Sequence, residues 1–461
     1  MARLRLDEIA RIAGGTALQG SPALTFGSYG IDSRLAAAGE LFFAVSGRRD
    51  GHDFVGAAAA NGAAGAVVAR PVPVPGREFG LVQVGDTVAA LQALARDVLG
   101  RRPVKVVGIT GSVGKTTTKE FAAALLRPRF RVLKSEANFN NHLGLALSLL
   151  RLEPDHEAAV LEMGMRAAGE LLALTRIAPP DIAVITNVSP VHLQFFKSLD
   201  DIARAKKEIL DGAKPGATAV LNGDDPLVMK IAAAFPGRKV TFGRGPSCDV
   251  RAERITAKGF AGFKVLLRYG QVPIRIPFPF LNEAAVADLL AAAAVSFALG
   301  LQLDEIVPGL ASLKPVAGRG LLVEAAGGVR VYDDSYNSNP RALEAVLKSL
   351  AALPASRKVA VLADMLELGE GESDFHRQAG EVVARSGWDV LVAVGPLAAL
   401  IAEGAAGAGM KAARIHRFAD AEAAAARIAE IVRDGDLVLV KGSRGMKTET
   451  IVDKLTTRGK E

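Results

Sequence analysis

Apolar positions along this chain gather into short runs that end in glycines or polar residues, each followed by a stretch of helical period. Val104, Val106, Val107 and Ile109 form one such run. It ends in Gly111-Ser112-Val113-Gly114 ahead of a helix opening at Lys115, which predicts a buried parallel strand entering a tight turn. Ala158 to Leu161 predicts a second strand, ending at Glu162, and Asp181 to Ile185 a third, ending at Thr186-Asn187. From Ala217 to Phe280 the pattern changes to strands separated by Gly and Pro turns, a β-rich extension closed by the apolar helix Ala284 to Leu301. No chemistry is evident in that extension.

Beyond LKPVAGRG the alternation resumes. Val329 to Tyr332 leads to Asp333-Asp334, Lys358 to Leu362 to Asp364, Val390 to Val394 to Gly395, and Leu437 to Val440 to Lys441, the signature of a second doubly wound unit. Before Pro103 lie short strands and Ala/Gly-rich helices, including Leu41 to Val45 and an amphipathic first helix with Ile9 and Ile12 inward. PVPVPG at 71–76 marks a loop, and Arg101-Arg102 a junction. The 461 residues exceed one core, and about 150 residues per domain suggests three. The expected fold is α/β with an N-terminal α/β domain over 1–102. A central P-loop doubly wound sheet with its β-rich extension follows over 103–313, then a C-terminal Rossmann-like domain over 314–461.

Composition narrows the function. One cysteine, Cys248, excludes an internal disulfide framework or a multi-cysteine metal site and fits a reducing cytoplasm. The longest apolar stretch carries Asp288 and is mostly alanine, so no membrane insertion is expected. A net charge of +7 permits nucleic acid. However, basic residues run no further than pairs and only 5% of residues are aromatic, leaving few stacking platforms; a small polyanionic substrate explains the charge equally well, and no nucleic-acid partner is expected.

The candidate chemistry centres on the glycine turn. Backbone N–H groups of Gly111, Ser112, Val113 and Gly114 converge there, and the helix start at Lys115-Thr116-Thr117 adds unpaired amides and its dipole, so the loop favours a phosphate. Lys115 would neutralise charge, the Thr116 hydroxyl would face Mg²⁺, and Glu162 is a metal candidate or a helix-capping acid. The pattern is GxxGKTT; Ile109 stands where the longer phosphate-loop spacing has its first glycine. Asn138, Asn140 and Asn141 crowd before an apolar helix that one of them can cap, leaving the others something to bind. Asp32-Ser33-Arg34 is either a phosphate grip or a surface turn with an ion pair. By local pattern alone, His192 reads as structural and Lys206 as part of a solvated helix face.

TGSVGKTTTKE, EANFNNHLG, LEMGM, NVSPVHL, AKKEIL, DDSYNSNP, ADMLELGE and KGSRGMK follow one another in an order that resembles the Mur ligase family. The resemblance covers nearly the whole chain. Within the family it points to the kind that joins D-alanyl-D-alanine to a UDP-muramoyl tripeptide through an acyl phosphate formed with ATP. The folylpolyglutamate synthetase kind is the alternative, against which DDSYNSNP argues. The resemblance implies that Lys115, Glu162, His192 and Lys206 are catalytic. Thr116 and Glu162 then hold one Mg²⁺, while His192 and Lys206, the latter as a carbamate, hold a second. It implies ATP contacts from Arg319 and Asp334 across the cleft, and substrate contacts from Ser33, Arg34, Asn138, Asn337 and Asn339. A monomer is expected. The chain departs from the family at Ile31 and Ala146, and at Ala284-Ala285, where His-Asn is usual ahead of the adenine.

Overall fold

The computed structural model describes residues 2–73, 76–136, 139–190 and 194–457, and the statements below concern those residues. Lys105–Thr110 lies inside a nine-stranded sheet, with Ala158–Glu162 and Ile182–Ile185 as its parallel neighbours. Val106, Val107 and Ile109 are fully buried there because both faces of the sheet are covered, which is why the run is apolar without alternation. Thr218–Asn222 and Arg238–Gly243 continue the parallel order, with Val132–Lys134 at the other edge. Val250–Ala257, Phe263–Tyr269 and Val272–Phe278 extend the same sheet as an antiparallel meander. The helix Ala285–Ala298 covers these strands with a fully buried row from Leu289 to Val295.

Besides the two-stranded pair of Leu4–Arg5 with Thr25–Phe26, two larger sheets accompany this one among the described residues. Leu321–Glu324, Arg330–Asp334, Leu437–Lys441, Lys358–Ala363, Val390–Val394 and Ile415–Phe418 form a six-stranded sheet in that order, parallel except for its first pair. The N-terminal five-stranded sheet runs Thr16–Gln19, Gly80–Gln83, Gly65–Val68, Glu40–Phe43, Ser28–Gly30, antiparallel only at its first pair. The predicted strands therefore appear within a residue or two of their expected ends. Ile9 of the first helix is fully buried, while Ile12 packs only partly against the same core. That core passes from the N-terminal sheet into the helix His142–Leu149 without a break. Among the described residues no helix is long and apolar enough to cross a membrane.

Candidate active site

The phosphate loop is fixed by its neighbour strand. Thr186 Oγ1 and Asn187 Nδ2 donate to the Val113 carbonyl at 2.6 and 2.9 Å, and Val113 N–H donates to Asn187 Oδ1 at 3.1 Å. Ser112 joins from beneath, its Oγ bonded to the carbonyl and N–H of Ser189. The approach is so close that a Cβ on Gly111 would stand 1.8 Å from Thr186 Oγ1, and one on Gly114 2.0 Å from Asp288 Oδ1. Both residues also take positive φ, 153° and 88°, so glycine is required twice over. Lys115 opens the helix Lys115–Leu126 and curls back, its Nζ 2.8 Å from the Gly111 carbonyl. Burial pushes its ammonium down, with the Glu162 charge opposing.

Glu162 ends its strand against this helix. Its Oε2 accepts from Thr116 Oγ1 at 2.7 Å and its Oε1 from Asn140 Nδ2 at 2.9 Å, and it is 3% exposed. It caps nothing, since the next helix, Glu170–Ile177, has Gly169 at its start. Of the crowded asparagines, Asn141 caps His142–Leu149 through Leu143 and Gly144 N–H, whereas Asn140 serves Glu162. Asn138 and His192 lie outside the described residues.

Lys206 corrects the reading from local pattern. It is 2% exposed, on the inner side of Leu199–Asp211, while its neighbour Lys207 pairs with Asp211 at the surface. Helical phase accounts for the error: Ile202, Ala205 and Ile209 share the buried face with Lys206. Burial, with the Lys115 charge adding to it, pushes the Lys206 amine well below its ordinary value. No carboxylate among the described residues pairs with it.

From the C-terminal sheet, Asp334 at the end of Arg330–Asp334 receives Lys441 Nζ at 2.6 Å, and burial raises its carboxyl against the pull of that lysine. The adjacent Asp333 braces the Gly318-Arg319-Gly320 turn by accepting from Gly318 N–H through its side chain and from Gly320 N–H through its carbonyl. Arg319 then lies over the Tyr336 ring at 4.2 Å. Asn339 caps Pro340–Ala351 through Ala342 N–H, so its side-chain oxygen is engaged within the fold.

One cavity of about 1090 Å³ brings most of these groups together, but Lys206 is not among the residues of its wall. Ser112 to Thr117, Glu162 and Asn187 line it from the central sheet, and Arg319, Asp334, Asn337, Asn339 and Lys441 from the C-terminal one. Ser33 and Arg34 are not part of its wall. Ser33 is buried under a short turn whose Arg34 pairs with Asp32 at 2.6 Å. The β-rich region, expected to carry no chemistry, contributes Asn222, Asp224, Gly243 and Arg244 to the wall. Asp288 is a site residue that the local sequence pattern does not mark. It receives Thr118 Oγ1 at 3.2 Å, opens on the cavity, and burial lifts its carboxyl to about 8. Its signal in the sequence was a single acid within an alanine-rich helix.

Thr116 and Glu162 offer hard oxygen donors 2.7 Å apart beside the phosphate loop, a donor set that suits a magnesium ion. The strand-end location of the whole group is where open parallel sheets take ligands. Residues 109–296 match the family described as Mur ligase middle domain, and residues 318–444 that described as Mur ligase, glutamate ligase domain. The chain is 36% identical over 426 residues to the UDP-N-acetylmuramoyl-tripeptide–D-alanyl-D-alanine ligase of Bacillus subtilis, covering 92% of each chain. A crystal structure of MurF from Acinetobacter baumannii superposes with a TM-score of 0.89 at 30% identity, covering 99% of this chain and 100% of that one. The MurF ligase of Thermotoga maritima in complex with ADP gives 0.81 at 32%, covering 93% and 97%. This chain belongs to the Mur ligase family, and it has that family's three-domain fold. It is therefore an ATP-dependent, ADP-forming ligase.

Proposed function

We infer that the chain joins D-alanyl-D-alanine to the terminal carboxylate of a UDP-N-acetylmuramoyl tripeptide, with ATP as the energy source and as a monomer in the cytoplasm. The observation that carries the reading is the single cavity in which a phosphate loop, a Thr116–Glu162 pair and the C-terminal Arg319, Asp334 and Lys441 meet. In this reading residues 1–102 grip the UDP-sugar through Ser33 and Arg34, residues 103–313 bind ATP, and residues 314–461 close over it.

The tripeptide carboxylate oxygen attacks the γ-phosphorus of ATP, the bond to the β–γ bridging oxygen breaks, and ADP leaves. The dipeptide amine then adds to the acyl phosphate carbonyl, and inorganic phosphate departs as the amide forms. No side chain has to act as nucleophile, so positioning and charge neutralisation carry the catalysis. Loop amides from Gly111 to Thr117 cradle the β- and γ-phosphates, Lys115 offsets their charge, and Arg319 approaches from the C-terminal side. Magnesium held by Thr116 and Glu162, with a second ion at His192 and Lys206, would supply charge neutralisation at the phosphates.

Lys206 fits that second role as a carbamate. A buried amine pushed toward its neutral form keeps the lone pair that attacks CO₂, and loss of one proton leaves an anionic group with two oxygen ligands. Asn138, Asn337 and Asn339 complete the substrate contacts. Phosphate release measured with a UDP-muramoyl tripeptide, with and without D-alanyl-D-alanine, tests the reading. Turnover that requires the dipeptide is expected; turnover with another amine and none with this one would overturn it.

A further inference from the structure

The antiparallel meander Val250–Ala257, Phe263–Tyr269 and Val272–Phe278 contributes nothing to the cavity wall, yet it holds most of the net charge of the chain. Residues 250–278 carry six basic side chains and one acid, a net +5 of the chain's +7. On the inner face Val265, Leu267, Ile276 and Phe278 are buried in one apolar core with the helix Ala285–Ala298. Alternation sends the intervening positions outward. Pairing sets them in three rows across the strands: Arg251, Arg268 and Pro273; Arg254, Leu266 and Arg275; Thr256, Lys264 and Pro277. The bulge after Ala252 shifts the phase by one residue, which leaves both Glu253 and Arg254 exposed. Glu253, the acid of the segment, is occupied by Arg251 and Arg268. Arg254, Lys264 and Arg275 are exposed and pair with no carboxylate among the described residues.

Cations gathered on one sheet face without acids repel one another, so this face gains from an anionic partner. The edge strand narrows the choice. Pro273 and Pro277 lack the N–H groups that a further strand would pair with, which blocks a second copy or an extended peptide from adding there. Nucleic acid is also a poor match, because no ring of the segment is offered to bases. Tyr269 is stacked inward on Phe297 at 3.9 Å, Phe260 lies under Arg330 at 4.2 Å, and Phe263 and Phe278 are buried. Leu266, Pro273 and Pro277, interleaved with the cations, gain nothing from phosphodiesters but fit the apolar boundary beneath lipid headgroups. We propose that this outer sheet face docks on an anionic lipid bilayer, resting on its surface with Arg254, Lys264 and Arg275 against the headgroup phosphates. The face stands apart from the cavity, so docking does not depend on the ligase reading.

The test is co-sedimentation of the full chain with vesicles of phosphatidylcholine, alone or with about 30 mol % phosphatidylglycerol. Binding is expected to the anionic vesicles only, and to be largely lost between about 0.05 and 0.5 M salt. The triple variant Arg254→Glu, Lys264→Glu, Arg275→Glu binds about 100-fold more weakly or worse, and Arg275→Ser alone about fivefold more weakly. Both keep the wild-type melting temperature and rate of phosphate release. Arg77→Glu, Arg96→Glu, Arg176→Glu makes the same change in net charge at exposed arginines on other elements, and it retains most of the binding. Equal loss in that control would show attraction by net charge alone and overturn the proposal. Absence of wild-type binding to anionic vesicles, or equal binding to neutral ones, overturns it even where a variant fails to fold. Displacement of the vesicles by duplex DNA or RNA at stoichiometric amounts would assign the face to nucleic acid and equally overturn it.

Discussion

Replacing Asp288 with Asn is expected to stabilise the protein at neutral pH, and the size of the gain follows from where the carboxyl sits. It is packed between the phosphate-loop helix and Ala285–Ala298, against the Gly114 backbone, with Thr118 Oγ1 as its donor. Burial is the main cause lifting it from 3.8 to about 8, while Thr118 and the Arg319 charge pull the other way. The folded state therefore holds a proton that the unfolded chain releases above about pH 4. Stability then falls as pH rises from about 4 to about 8 and is flat with respect to this group on either side. At about 1.4 kcal/mol per pH unit, the loss reaches up to about 5 kcal/mol by pH 7.5.

Asparagine keeps the oxygen that Thr118 bonds and has no proton to lose. Thermal melts of both proteins across pH 4 to 8.5 are expected to coincide near pH 4 and to separate by roughly 10 °C or more, in favour of Asp288→Asn, by pH 7.5. There is a functional counterpart. Above about pH 8 the wild-type carboxyl ionises inside a cavity built for a triphosphate, so the KM for ATP rises there in the wild type and not in the variant. Parallel melting curves across the whole range, or a less stable variant at pH 7.5, would refute the reasoning.

Lys115→Ala removes the charge over the phosphate loop and little packing, so ligation falls about 100- to 1000-fold with a near-normal melt; normal turnover would move the nucleotide site elsewhere. Arg319 and Asp334 come from the C-terminal unit, so binding of ATP and tripeptide is expected to shrink the radius seen by small-angle scattering, and an unchanged radius with both bound would count against closure. Lys206→Ala is expected to lose about 100-fold or more in kcat and to regain part with a small added carboxylate. Lys207→Ala stays near wild type, since Lys207 only pairs with Asp211 at the surface. Full activity of Lys206→Ala at low magnesium would eliminate the carbamate.

The contiguous parts of this protein were legible in its residues. The strand into Gly111–Gly114, the helix from Lys115, and the polar ends of the other strands are each local events. Apolar runs, positive-φ glycines and caps lie within a few residues of what they control. Sheet class and the two doubly wound units followed from the same periodicity, and the family from the order of the motifs.

What the residues left open depended on contacts far apart in sequence. Whether Lys206 faces water was decided by the packing of Leu199–Asp211 on the rest of the domain, which turned a charge among charges into a buried amine. Asp288 became a cavity group only because its helix lies against Gly114, 174 positions away, and no local pattern records that approach. Asn140 and Asn141 look alike in sequence, yet one holds Glu162 and the other caps a helix. Which charged groups on the cavity wall find partners was equally settled by the assembled surface, because burial and pairing are set by every element that reaches the cavity at once.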